Sequence, residues 1–142
     1  MLFVEAYKNK DKIPTDLIII DTTSRSNSWT RGLSLFFVEG GYFYGNNYAY
    51  NIENLYQYAK TYEHMVDENQ NPTQKYFDWA KKGWNDKRAV RYPMGRDARP
   101  LYSYWDGQKL SYIEARKKIY VPYYSRGVVK QSAFQITGLV RP

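Results

Sequence analysis

An α+β fold is predicted by three observations. A β-branched run, Leu17–Ile20, is short and closed by Asp21, which is the signature of a buried strand. Apolar residues then recur at three- and four-residue spacing over residues 51–66, the period of an amphipathic helix. Strands and extended pieces come first and helices later, without the regular alternation of a parallel βαβ fold. At 142 residues the chain is the ordinary size of one domain, here read as 1–142.

The elements are expected as follows. Leu2–Tyr7 opens as a strand, and Lys8–Lys12 forms a charged turn. Leu17–Ile20 is the second strand, followed by a polar loop over Asp21–Arg31. Leu33–Val38 reads as extended, Glu39–Gly41 as a turn, and Tyr42–Tyr44 as a short strand before Gly45–Asn47. The best helix spans residues 51–66, capped by Asn51, with Ile52, Leu55, Tyr56, Ala59, Tyr62 and Val66 on its apolar face. A second helix is expected over Pro72–Lys82, with Asn71 as cap, Pro72 at its first position and Gly83 ending it. A third runs from Leu110 to Tyr120; Ser111 and Glu114 have capping-box spacing, and Pro122 is expected to stop it. Val128–Val140 suits either a strand or a short helix.

Composition narrows the chemistry. The chain has no cysteine and one histidine, His64, so zinc-thiolate and multi-histidine metal sites are excluded. There is no GxGxxG, Walker A, GxSxG or HExxH motif, which leaves kinase, dehydrogenase, serine hydrolase and zincin readings unsupported, and no cofactor is expected. No apolar run approaches the eighteen or so residues a membrane helix needs, and the start lacks the order of a signal peptide. A cytosolic protein without membrane contact is the default expectation.

The net charge is +7, with the positive field concentrated late in the chain. Residues 81–99 hold seven basic side chains against two acidic ones, a net of +5, whereas the first fifty residues balance. Arg88, Arg91 and Arg96 in this segment are interleaved with Trp84 and Tyr92. Guanidinium forks hold phosphates and aromatic faces stack on bases, so the segment reads either as an anion site or as a solvated loop. Sixteen tyrosines serve equally well as stacking faces or as replacements for scarce aliphatic residues in a chain of mean hydropathy −0.73.

Two further features carry alternatives. Glu53, Gln57, Lys60 and His64 fall at i, i+4, i+7 and i+11, either a catalytic wall or an ordinary polar helix face. Asp21, followed by Thr22–Ser26, closes a strand where loops carry function, yet aspartate is also simply a good strand terminator.

Leu33-Ser34-Leu35-Phe36-Phe37 followed by Glu53-x-x-Tyr56-Gln57-x-x-Lys60 resembles the opening of NADAR-type N-glycosidases. Lys87–Arg91 and Leu110–Pro122 are similar to an uncharacterised bacterial and phage family suspected to be its remote relative. The matches touch about a third of the chain, and the closing Asp-x-x-Trp-Gly segment of NADAR proteins is not evident. The resemblance implies a NADAR-like α+β fold and an ADP-ribose-like nucleotide or modified nucleoside as ligand, cleaved at its N-glycosidic bond. It implies Glu53 as the carboxylate beneath an oxocarbenium-like sugar. Lys60 would hold a phosphate or carbonyl oxygen, Arg88 and Arg91 the phosphates, and Tyr56 or Trp84 the base, with Asp21 the next carboxylate to consider. The helix dipole is expected to keep Glu53 ionised, with Lys60 about 10 Å along the same helix. The alternative is a phage-type nucleic-acid-binding or anti-defence protein that uses its basic aromatic surface without catalysis.

Overall fold

Aromatic side chains, more than aliphatic ones, build the centre of this α+β protein. The computed structural model describes residues 22–27 and 29–131. The expected strands Leu2–Tyr7 and Leu17–Ile20, Asp21, and the tail beyond residue 131 lie outside the described residues. The main core gathers Phe43, Tyr56, Tyr58, Tyr62, Tyr76 and Trp84 around Leu55, Met65, Leu110 and Ile119. Tyr76 is fully buried because its hydroxyl donates to the carbonyls of Tyr58 (3.0 Å) and Ala59 (3.3 Å), which removes the cost of desolvating a phenol. A smaller cluster of Leu33, Val38, Ile52 and Val128 joins the early segment to the late helix.

The first helical element among the described residues is a 3-10 helix over Trp29–Leu33. Strands β1 (Gly41–Phe43) and β2 (Asn47–Ala49) pair antiparallel around a tight turn in which Gly45 and Asn46 both take positive φ. Helix α1 (Ile52–Gln57) follows, then β3 (Lys60–Thr61), a 3-10 turn over Glu63–Met65 and α2 (Gln74–Trp84). Strands β4 (Tyr102–Trp105) and β5 (Gln108–Leu110) complete an antiparallel sheet of order β3-β4-β5. Between β4 and β5 stand only Asp106 and Gly107, both at positive φ, as a two-residue hairpin requires. Helix α3 (Tyr112–Ala115), a π-helical turn (Arg116–Tyr120) and α4 (Val121–Val128) then run on without a break.

Several sequence expectations are corrected here. The helix expected over 51–66 ends at Gln57, because the backbone beyond it is taken by β4. Tyr104 donates to the Ala59 carbonyl and Leu101 to that of Thr61, both at 2.8 Å. Ala59 and Tyr62 nevertheless reach the core, because a strand followed by a 3-10 turn brings this stretch inward, but Val66 is only half-buried and Met65 takes the buried place expected for it. Leu33–Val38 is turned, not extended: the Ser34 carbonyl accepts from Phe37 and Val38, and its hydroxyl accepts from Phe36. Pro72 precedes α2, and Thr73, not Asn71, stands at its N-cap; the Asp67 carboxylate holds the amides of Asn69 and Asn71 and so draws Pro72 into a closed loop.

Gly83 does not end α2. It lies inside the helix, where an added Cβ would sit 2.1 Å from the Tyr58 ring, so the absence of a side chain permits this packing. Pro122 does not stop the last helix either. It falls in the first turn of α4, immediately after the π turn, in which the Val121 amide reaches back five residues to Arg116. Inside a continuous helical segment a proline forfeits its bond to the preceding turn, and the wider π turn just before it is where the helical ladder makes room for that loss. The capping box at Ser111 and Glu114 is formed as expected. Among the described residues no helix is long and apolar enough to cross a membrane.

Candidate functional site

The first turn of α1 sets the geometry. Asn51, in extended conformation, caps it by accepting from the Asn54 amide at 2.8 Å. The amides of Ile52 and Glu53 donate to the carbonyls of Val38 and Leu35, which pins the helix start against the 34–38 turn. Glu53 is thereby turned inward and is only 6% exposed. Its Oε1 accepts from Gln57 Nε2 at 2.9 Å, and Gln57 Oε1 accepts from Lys60 Nζ at 2.9 Å. Carboxylate, amide and ammonium thus form one hydrogen-bonded chain, although Lys60 belongs to β3 and not to the helix. Lys60 Nζ also stands 5.0 Å from the Tyr56 ring centroid.

Burial dominates the titration of this chain. It raises the Glu53 carboxyl above the usual range, while the Gln57 hydrogen bond and the charges of Arg91 and Lys60 pull the other way. Burial thus acts against the helix dipole expected to favour the ionised form at the start of this six-residue helix. Lys60 is pushed below its ordinary value by the same burial, partly countered by Glu53. His64, which shares the sequence stripe, is exposed in the following 3-10 turn and takes no part in this chain of bonds.

A second wall comes from the last helical segment. Tyr112, Arg116 and Tyr120 recur at four-residue spacing across α3 and the π turn. The Arg116 guanidinium lies 4.8 Å from the Tyr120 ring centroid and 5.7 Å from that of Tyr112, with Nη1 donating to the Tyr112 hydroxyl at 3.4 Å. Tyr120 packs edge-on against Tyr56 at 5.7 Å. Burial raises the phenols of Tyr56 and Tyr120; Arg116 counters both, and Glu53 adds to the rise at Tyr120. Glu53, Tyr56, Arg116 and Tyr120 therefore share one electrostatic environment. Sequence reading missed these helix residues, although the i, i+4, i+8 spacing of Tyr112, Arg116 and Tyr120 was a usable signal.

The basic segment is clamped to α1 by one fully buried side chain, Asn54. Its Nδ2 donates toward the carbonyls of Gly83 (3.2 Å), Asp86 (3.0 Å) and Arg88 (2.8 Å), and its Oδ1 accepts from the Val90 amide at 2.7 Å. This delivers Arg91 close enough to Glu53 for their charges to interact. Arg91 and Arg96 lie 5.7 and 5.8 Å from the Tyr92 ring centroid. Arg88 is brought to the same segment but is highly exposed and paired with Asp86 at 3.6 Å. Trp84 is corrected as a base-stacking residue: it is 3% exposed and packs edge-on against Phe43 at 4.8 Å. Of the expected site residues, Glu53, Tyr56, Gln57, Lys60 and Arg91 come together. Arg88, Arg96 and Trp84 do not join that group, and Asp21 lies outside the described residues.

No family model matches the chain, and neither a curated protein nor a solved structure matches it.

Proposed function

We propose that the chain is a NADAR-like N-glycosidase that acts on, or retains the ability to bind, an ADP-ribose-like nucleotide or modified nucleoside. The observation that carries this reading is the buried Glu53–Gln57–Lys60 chain with Arg91 beside it. A carboxylate costs stability when buried, and carboxylates in such settings are concentrated where proton transfer or charge stabilisation is required.

In the proposed reaction the bond between sugar C1′ and the base nitrogen breaks, and its electron pair leaves with the base. The positive charge developing on the sugar is opposed by the Glu53 carboxylate. Water adds to C1′ and gives its proton to Glu53, whose raised proton affinity suits that role; a base that departs as an anion takes that proton from Glu53, whereas one that was cationic while attached leaves neutral and Glu53 passes the proton to solvent. Lys60 and Arg91 are suited to the anionic oxygens of the nucleotide. Tyr112, 64% exposed beside Arg116, offers the stacking face that Trp84 does not.

The test is incubation with NAD, ADP-ribose and an ADP-ribosylated oligonucleotide, read by mass spectrometry. Release of a free base or ribosyl product is expected, and Glu53→Gln should lower turnover about a hundredfold, the weight of one positioned acid–base group. A Glu53→Gln variant as active as the parent, or no binding or turnover of any member of the panel, overturns the reading.

A further inference from the structure

The β1–β2 hairpin carries a separate aromatic surface. Phe43 and Ala49 are buried, and strand alternation therefore turns Tyr42 and Tyr48 outward as direct cross-strand partners. Their rings meet edge to face at 4.9 Å, and Tyr50 extends the row at 5.1 Å from Tyr48. Tyr42 is 73% exposed and Tyr50 40%, so these rings contribute little to the core. The Tyr48 hydroxyl donates to Glu39 Oε1 at 2.6 Å, which orients its ring in advance.

Cations flank the row. Lys87 Nζ stands 5.6 Å from the Tyr50 ring centroid. The end of α2 presents Lys81 to a cavity of about 290 Å³ that Tyr48, Asn46, Asn85 and Trp84 help to line. Among the described residues no carboxylate lines it. The Trp84 indole N–H is buried and has no acceptor among the described residues, although most buried donors find one. The cavity is at the small end of ligand sites and bears amide, ammonium and aromatic groups.

We propose that this face binds single-stranded nucleic acid. Tyr42 and Tyr50 stack on unpaired bases, Lys81 and Lys87 contact phosphates, and the cavity beside Tyr48 receives one base or sugar. Exposed rings beside ammonium groups are the chemistry of single-strand recognition, whereas a duplex hides the faces of its bases. The +7 net charge of the chain favours a polyanion over an acidic peptide that would leave the rings unused.

The experiment is fluorescence anisotropy with labelled oligothymidylate and with a duplex of the same length, across a salt series. Oligothymidylate should bind more tightly than the duplex. Tyr42→Ala with Tyr50→Ala should weaken it by about tenfold or more at unchanged circular dichroism, as expected for lost stacking. Lys81→Gln with Lys87→Gln should flatten the log–log salt slope by about 1.4, or 0.7 per phosphate contact on a single strand. Glu53→Gln should leave this binding unchanged, so that it stands or falls separately from the glycosidase reading. Absence of binding at low salt, equal affinity for the duplex, or parental affinity in the tyrosine pair overturns the proposal. Should the tyrosine pair fail to fold, an unchanged salt slope in the lysine pair overturns it instead.

Discussion

Replacing Asn54 tests how the basic segment is held. The side chain has two N–H hydrogens shared among the carbonyls of Gly83, Asp86 and Arg88, and one oxygen that accepts from Val90. Asn54→Ala therefore removes the equivalent of three hydrogen bonds in a place water reaches poorly. At a net of about 1 kcal/mol each, the loss is about 3 kcal/mol, or a fall in Tm of roughly 10 °C for a chain of this size. Asn54→Asp is nearly isosteric yet should cost more than alanine, because its second oxygen would face carbonyl oxygens and its charge would be buried. Urea and thermal denaturation followed by circular dichroism give both numbers. Ligand affinity should fall with stability in Asn54→Ala, since Arg91 loses the anchor at Val90 that places it near Glu53. An aspartate variant as stable as the parent, or an alanine variant within about 0.5 kcal/mol of it, would refute the clamp.

Other outcomes follow from the same geometry. Because burial raises the folded-state proton affinity of Glu53, its contribution to stability is fully present below the ordinary value of 4.5 and is lost as pH rises through the raised one. The Tm of Glu53→Gln relative to the parent should therefore climb as pH rises above 4.5, and a flat difference would refute the burial argument. Leu55→Ala, at a site with no exposure, should cost about 2–5 kcal/mol by denaturant titration. Gly83→Ala gains about 1 kcal/mol of helix propensity but drives a methyl into the Tyr58 ring, so net destabilisation of about 1–3 kcal/mol is expected in the same assay. Arg91→Gln should weaken nucleotide binding about tenfold or more in calorimetry, while Arg88→Gln, whose partner is only the surface Asp86, should change it by less than about threefold.

Local chemistry carried much of the architecture. The Asn51 cap, the Ser111–Glu114 capping box and the apolar spacing of Ile52, Leu55 and Tyr56 within α1 are interactions between residues close in sequence, and each is present in the fold. The Asp106-Gly107 hairpin is equally local, a two-residue turn whose Asp-Gly pair is itself a sequence signal. What the tertiary structure decided is where distant backbone intervenes. Pairing with β4 ends α1 after Gln57 and still keeps Lys60 beside the same amide, so the stripe survives as a hydrogen-bonded chain although its helix does not. Asn54 reads in sequence as an ordinary helix residue; only the approach of residues 83–90 makes it a clamp. Trp84 looked available for stacking because its neighbours are basic, but an indole at the end of α2 is worth more to the core than to solvent. Charge state is the last of these. The sign of the shift at Glu53 depends on how much water the fold excludes, and desolvation is a property of the whole packed neighbourhood, which no short motif encodes.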